Sequence, residues 1–233
     1  DRHNFPKESL KTIEHMIEGG TPGQTHVYVP QEHLGELDLW NAPYVLIAAD
    51  VRSLRPTASQ KDVGGDYHRP ETMRDAIDTM IELYPDLVRL TVIGYSVDNR
   101  PIDAIVISDN VSSHEPNEPC LRMVGAYHGD EWASVEVVIS TAWTLLGRYN
   151  EDESIQELVN GHELWLIPML NPDGVLDFER RNRNGVDLNR NFSWAFERTP
   201  QSGTHAFSEP ETLALYDLSI NRAFHHNLSV HSG

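Results

Sequence analysis

"LRMVGAYHGDEWASVEVVISTAWTLL", residues 121–146, decides the fold. Its first six residues read as a short buried strand. From Trp132 to Leu146 the chain reads as a long apolar helix. The turn between them places His128 and Glu131 three residues apart, so both side chains reach one point. Strand, polar turn and helix together open an α/β unit whose turn carries potential metal ligands.

The pattern continues on both sides. Downstream, "ELWLIPM" (163–169) is a strand. Ser208 and Glu211 form an S-x-x-E capping box, which starts a helix near Glu209 that runs through "TLALYDLSINRAF". "NLSV" (227–230) is a last strand leading into His231. Upstream, Pro70 suits a first helical turn. Met73, Ile77, Met80, Ile81 and Tyr84 then share one helical face, and Pro85 ends the pattern. "LVRLTVI" and "IDAIVIS" are strands joined through "GYSVDNRP" as a hairpin. Strands alternate with helices, so this region is an α/β domain with a substantially parallel sheet.

Residues 1–51 read as a small α/β segment. It has a helix-like stretch from Leu10 to Ile17, a loop "GGTPGQ" (19–24), and strands "THVYVP" (25–30) and "YVLIAADV" (44–51). Residues 52–66 lack apolar periodicity and read as a linker. The domain of interest is 67–233.

The chain has 233 residues, 39% of them hydrophobic, enough for one sizeable core or one domain with a small companion. No apolar run is long enough to span a bilayer. The formal charge of -18 argues against nucleic acid or an anionic membrane as the main partner. Cys120 is the single cysteine, which excludes an internal disulfide and a thiolate zinc cluster. It opens an apolar run and reads as a core residue. The metal site indicated by the turn must therefore use His, Asp and Glu.

A lone His-x-x-Glu is weak, because helical pairs of this spacing are usually surface contacts. His231 supplies a third ligand. Both histidines follow strands, and in open α/β sheets ligands gather at the carboxyl ends of strands. A His₂Glu set leaves one zinc position open, as catalytic sites do. His225 and His226 end the last helix on this reading and are structural. His162 and His205 lie in polar loops.

"FERRNRNGVDLNRNF" (178–192) puts Arg180, Arg181, Arg183 and Arg190 within eleven positions of an acidic chain. A solvated basic face is the plain alternative. A carboxylate receptor is the functional one, since guanidinium pairs with carboxylate through two hydrogen bonds. Asn189 adds an amide donor. Asp187 suits the carboxylate that orients a metal-bound histidine, here His128.

"HGDEW", "NPDG" (171–174), "RRNRNGVDLNRNF" and "SVHS", in this order, resemble the zinc carboxypeptidases of the M14 family, the carboxypeptidase A-like enzymes. The resemblance covers about Tyr67 to Gly233. It implies a mixed, mainly eight-stranded and largely parallel sheet with helices on both faces. It implies one zinc per chain on His128, Glu131 and His231, with Arg180 stabilising the oxyanion. It further implies that Asn189 and Arg190 grip a substrate's C-terminal carboxylate and that Asp187 supports His128. The substrate would be a peptide or protein with a free C-terminus, hydrolysed through a zinc-activated water, and the enzyme would be secreted. Residues 1–51 are similar, more weakly, to the pro-segment of such enzymes.

Two departures stand out. Asp130 sits where some relatives carry a basic residue. The sequence also ends at Gly233, whereas the family's closing tyrosine, general-base glutamate and specificity pocket lie beyond the third ligand; the expectation is a truncated catalytic domain without a general base of its own to drive turnover. The alternatives are an amidohydrolase of the aspartoacylase or succinylglutamate desuccinylase type, a cell-wall peptide hydrolase with the same site, and a non-catalytic zinc- and carboxylate-binding module.

Overall fold

The computed structural model describes residues 17–21, 24–27 and 67–232. The chain divides into two units, Asp1–Gly64 and Gly65–Ser232. In the first, β1 (Ile17–Thr21) and β2 (Gln24–Val27) pair antiparallel, with an irregularity between Ile17 and Gly19. Most of the stretch read as a loop is therefore strand. Pro-Gly is a turn signal, but composition does not reveal that its polar flanks pair with each other. Ile17 belongs to β1. The rest of the expected first helix, the strand at 44–51 and the linker at 52–66 lie outside the described residues.

The second unit opens with α1 (Pro70–Leu83), where proline occupies the first turn and its missing N–H costs nothing. Met73, Ile77 and Met80 are buried, as their spacing requires. β3 (Val88–Tyr95) and β4 (Pro101–Ile107) form the expected hairpin. Next come β5 (Cys120–Val124), α2 (Trp132–Arg148), α3 (Glu153–Asn160) and β6 (Glu163–Ile167). A short α4 (Pro172–Asp177), a 3-10 turn (Leu188–Arg190), α5 (Pro210–Asn221) and β7 (Phe224–Ser229) complete it.

The sheet order is β3-β4-β6-β5-β7. β4 is antiparallel to both neighbours, while β6, β5 and β7 are mutually parallel. Four of these five strands therefore run one way, which makes the sheet mixed and largely parallel. β4 and β6 are buried on both faces and alternate between two cores. Ile105, Ile107, Leu164 and Leu166 pack with α1, α2 and α3. Ile102, Ala104, Val106, Trp165 and Ile167 pack with Ala214 and Leu215 of α5. Helices thus cover both faces, and the two-sided burial explains why these strands read as continuous apolar runs.

Two sequence expectations are corrected. The last helix ends at Asn221, and His225 and His226 lie on β7, not at a helix end. β7 is exposed apart from Phe224, so its register with β5 defines it and an apolar pattern does not. The capping box is absent too. Glu209 is the N-cap residue without a side-chain cap bond, and its N–H donates to Asn191 Oδ1 at 3.2 Å. Glu211 is fully buried and accepts from Val97 N and Asn182 Nδ2. Helix α3, which the apolar pattern did not single out, is capped by Asp152 through Ser154 N and Ile155 N.

Candidate metal centre

β5, β6 and β7 end side by side, and the segments that follow them build the site. Val230 N donates to Val124 O at 2.8 Å, which fixes the exit of β7 beside that of β5 and delivers His231. Leu170 N and Asn171 N donate to Gly125 O and Ala126 O, tying the chain after β6 to the chain before His128. Asn171 caps α4 by accepting from Gly174 N at 2.9 Å. Gly129 lets the His128 turn lie against this segment: a Cβ on Gly129 would sit 2.0 Å from the Gly174 carbonyl carbon. The "NPDG" segment is therefore a backbone seat for the His128 turn. Asp173 locks it from below, accepting from Ser96 Oγ, Asp98 N and Arg100 Nη1.

His128, Glu131 and His231 converge, with one ligand atom of each within 4.8 Å of the others. His128 Nδ1 donates to Glu131 Oε1 at 2.7 Å, and His231 Nδ1 to Glu131 Oε2 at 2.8 Å. His128 Nε2 meets Asp187 Oδ1 at 2.9 Å. Both ring nitrogens of buried His128 therefore face carboxylates. Burial alone would lower its pKa; the hydrogen bonds to Asp187 and Glu131 outweigh that and raise it to about 9. Burial opposes ionisation of Asp187, but His128 and Arg180 hold its pKa down at about 2. Glu131 is likewise lowered, the two histidines overcoming its burial. Tyr127 stacks on His231 at 5.4 Å, a contact that the spacing of ligands does not reveal.

Two imidazoles and a carboxylate are a zinc donor set, and here protons bridge the same atoms. His128 offers Nδ1 to this point while Asp187 holds Nε2, the arrangement of a metal-ligating histidine with an orienting carboxylate. The residues therefore fit a zinc ion.

Asp187 also caps the 3-10 turn, accepting from Asn189 N at 3.0 Å. One carboxylate thus couples His128 to the turn that carries Asn189 and Arg190, both exposed. Asn191 bolts this turn from beneath: its Nδ2 donates to Ser202 O, His205 O and Ser208 Oγ. Arg180, half exposed, lies 3.4 Å from Glu131 Oε1 and 3.3 Å from Asp187 Oδ2. Arg183 does not join them; it pairs with Asp98 and Asp177. Buried Asn182 donates to Glu209 and Glu211, a support that the sequence pattern misassigned to helix capping. Half-buried His162 bonds Leu158 O, and exposed His205 bonds Ala206 O.

A family model described as zinc carboxypeptidase matches residues 73–233. Carboxypeptidase D of Homo sapiens is 31% identical over 159 residues, 64% of this chain and 11% of that protein. Carboxypeptidase SOL1 of Arabidopsis thaliana is 32% identical over 178 residues, 76% of this chain and 35% of that protein. Among solved structures, the carboxypeptidase A of Helicoverpa armigera aligns with a TM-score of 0.67 and 21% identity, covering 98% of this chain and 68% of that one. The chain thus spans only a minor part of the length of these curated relatives, 11% and 35%.

Proposed function

This chain belongs to the zinc carboxypeptidase family, and from that premise we propose that it hydrolyses the C-terminal peptide bond of peptides or proteins, with zinc held by His128, Glu131 and His231. Bound there, zinc would supply Lewis acidity toward a carbonyl and a water. The remaining work falls to the protein's own groups. Asp187 accepts from His128 Nε2, keeping Nδ1 aimed at the metal point, and its buried negative charge offsets a cation. Arg180 stands beside the ligand set with part of its guanidinium in solvent, placed to donate to oxygen charge that develops in the reaction. Asn189 and Arg190 present amide and guanidinium donors from the turn that Asp187 caps, suited to a terminal carboxylate. Gripping that carboxylate makes the reaction exopeptidase rather than endopeptidase.

The single observation that carries this reading is the double engagement of Asp187. It ties the first ligand histidine to the carboxylate-gripping turn within one pair of bonds. Action outside the cell belongs to the same proposal and is drawn from exported family members that carry a pro-segment; cell fractionation checks it. No helix among the described residues is long and apolar enough to cross a membrane.

Mass spectrometry of a mixed peptide pool incubated with the zinc-loaded protein tests the reaction. Each peptide is present as free acid and as C-terminal amide. Loss of single residues from the free acids alone is the expected result, with the general base supplied by a group other than those named above. Cleavage of amides equally well, or of N-acyl amino acids and not peptides, contradicts it.

A further inference from the structure

A second group of ligand atoms lies at the opposite ends of the same strands. Cys120 begins β5 and Glu163 begins β6, and the two residues are register partners in the parallel ladder. His114 reaches them from the loop before β5. His114 Nδ1 lies 3.0 Å from Glu163 Oε2, and Cys120 Sγ lies 3.7 Å from the same oxygen. All three ligand atoms fall within 4.8 Å of one another. Cys120 and Glu163 are buried, at 2% and 5% exposure, while half the His114 ring faces solvent. We propose that His114, Cys120 and Glu163 form a second site for a borderline-soft divalent cation, zinc above all, separate from the His128 centre.

The geometry carries the proposal. For a tetrahedral zinc with usual bond lengths, N···O and S···O edges are roughly 3.3 and 3.5 Å. The two contacts at Glu163 Oε2 lie within a few tenths of an ångström of those edges. The exposed side of His114 leaves an entry path and a place for a fourth, water ligand. Cys120 is also the only thiol of the chain, so one sulfur ligand is all that such a site can have.

A cation already stands at this point. Arg222 Nη1 contacts both His114 Nδ1 and Glu163 Oε2, and its guanidinium lies over the Trp165 ring at 5.1 Å. A single Nδ1 faces an acceptor in Glu163 and a donor in Arg222, and one proton arrangement satisfies only one of them. Arg89 pairs with the other Glu163 oxygen at 3.3 Å. Glu163 therefore keeps a cationic partner when the metal displaces Arg222, whose side chain retains the ring surface. On binding, the thiol proton leaves to solvent and the thiolate and carboxylate together match the metal's two charges. The ion would staple the loop carrying His114 to the starts of two central strands.

Cobalt(II) titration of the metal-stripped chain tests this directly. The His128 centre offers only nitrogen and oxygen, so a near-ultraviolet thiolate-to-cobalt charge-transfer band can arise only at Cys120. The expected result is two cobalt equivalents bound, with the band developing in the unaltered chain and bleaching when zinc is added. Cys120→Ser should abolish the band and one equivalent. His231→Ala should keep the band while losing the other equivalent, which separates this site from the proposed catalytic one. Arg222→Gln should strengthen apparent affinity at the thiolate site at least tenfold. Absence of the band in the unaltered chain, or a band that survives Cys120→Ser, overturns the proposal.

Discussion

At the scale of single residues, Asp187 is the joint of the site. It accepts from His128 Nε2 and from Asn189 N with the same oxygen, while its other oxygen meets Arg180. Asp187→Asn keeps the shape and removes the charge that orients the imidazole. Zinc affinity should fall about 10–100-fold, as loss of such a partner usually does, measured by competition with a chelator. Unchanged affinity would contradict the role assigned to it. Arg190 makes a different prediction, because its guanidinium is exposed and, among the described residues, bonds only the neighbouring Asn189 O. Arg190→Ala should leave metal content and folding intact. It should raise KM for free-acid peptides roughly 10–100-fold, the scale of a lost charged hydrogen bond. An equal effect on amidated peptides would argue against a carboxylate grip.

At the scale of elements, the site depends on close backbone approach. Gly129 lies against Gly174, and a Cβ there would meet backbone atoms at 2.0 and 2.4 Å that cannot move aside. Gly129→Ala should destabilise the fold by about 1–3 kcal/mol or more, as overpacking does, and reduce zinc binding with it. Gly185 is a control: its φ of +75° favours glycine, but nothing lies within 4 Å. Gly185→Ala should cost only about 1 kcal/mol in chemical denaturation. The sequence makes the candidate ligands legible because strand ends concentrate them and His-x-x-Glu fits one turn. β4 and β6 are legible because both faces are buried. Asn182, Asn191 and Tyr127 are not legible, since their value lies in partners 11 to 104 positions away along the chain. β7 is only partly legible for a related reason. "FHHNLS" has little apolar signal, and its strand state comes from the ladder with β5. S-x-x-E misled because burial beside Asn182 outcompetes a local cap for Glu211.

At the scale of the whole molecule, the buried His128–Glu131–Asp187 cluster links stability to pH. In the metal-free chain the His128 pKa rises from 6.5 to about 9 on folding. That contribution is complete below about pH 6.5 and is lost as pH rises through about 9. Asp187 is lowered from 3.8 to about 2, so its contribution is present above about pH 4 and is lost as pH falls through about 2. The two share one interaction and do not add; together they are worth about 3 kcal/mol at most. Thermal melting of the metal-free chain should therefore peak between about pH 4 and 6.5 and fall by roughly 5–10 °C toward pH 9. A melting temperature independent of pH across that window would count against this cluster. Anomalous scattering at the zinc edge, from crystals of the zinc-loaded chain, would locate the metal where β5 and β7 end. The expected result is a peak bonded to His128 Nδ1, Glu131 and His231 Nδ1, with Asp187 still on His128 Nε2. A protein that takes up zinc yet shows no peak among these three side chains would contradict it.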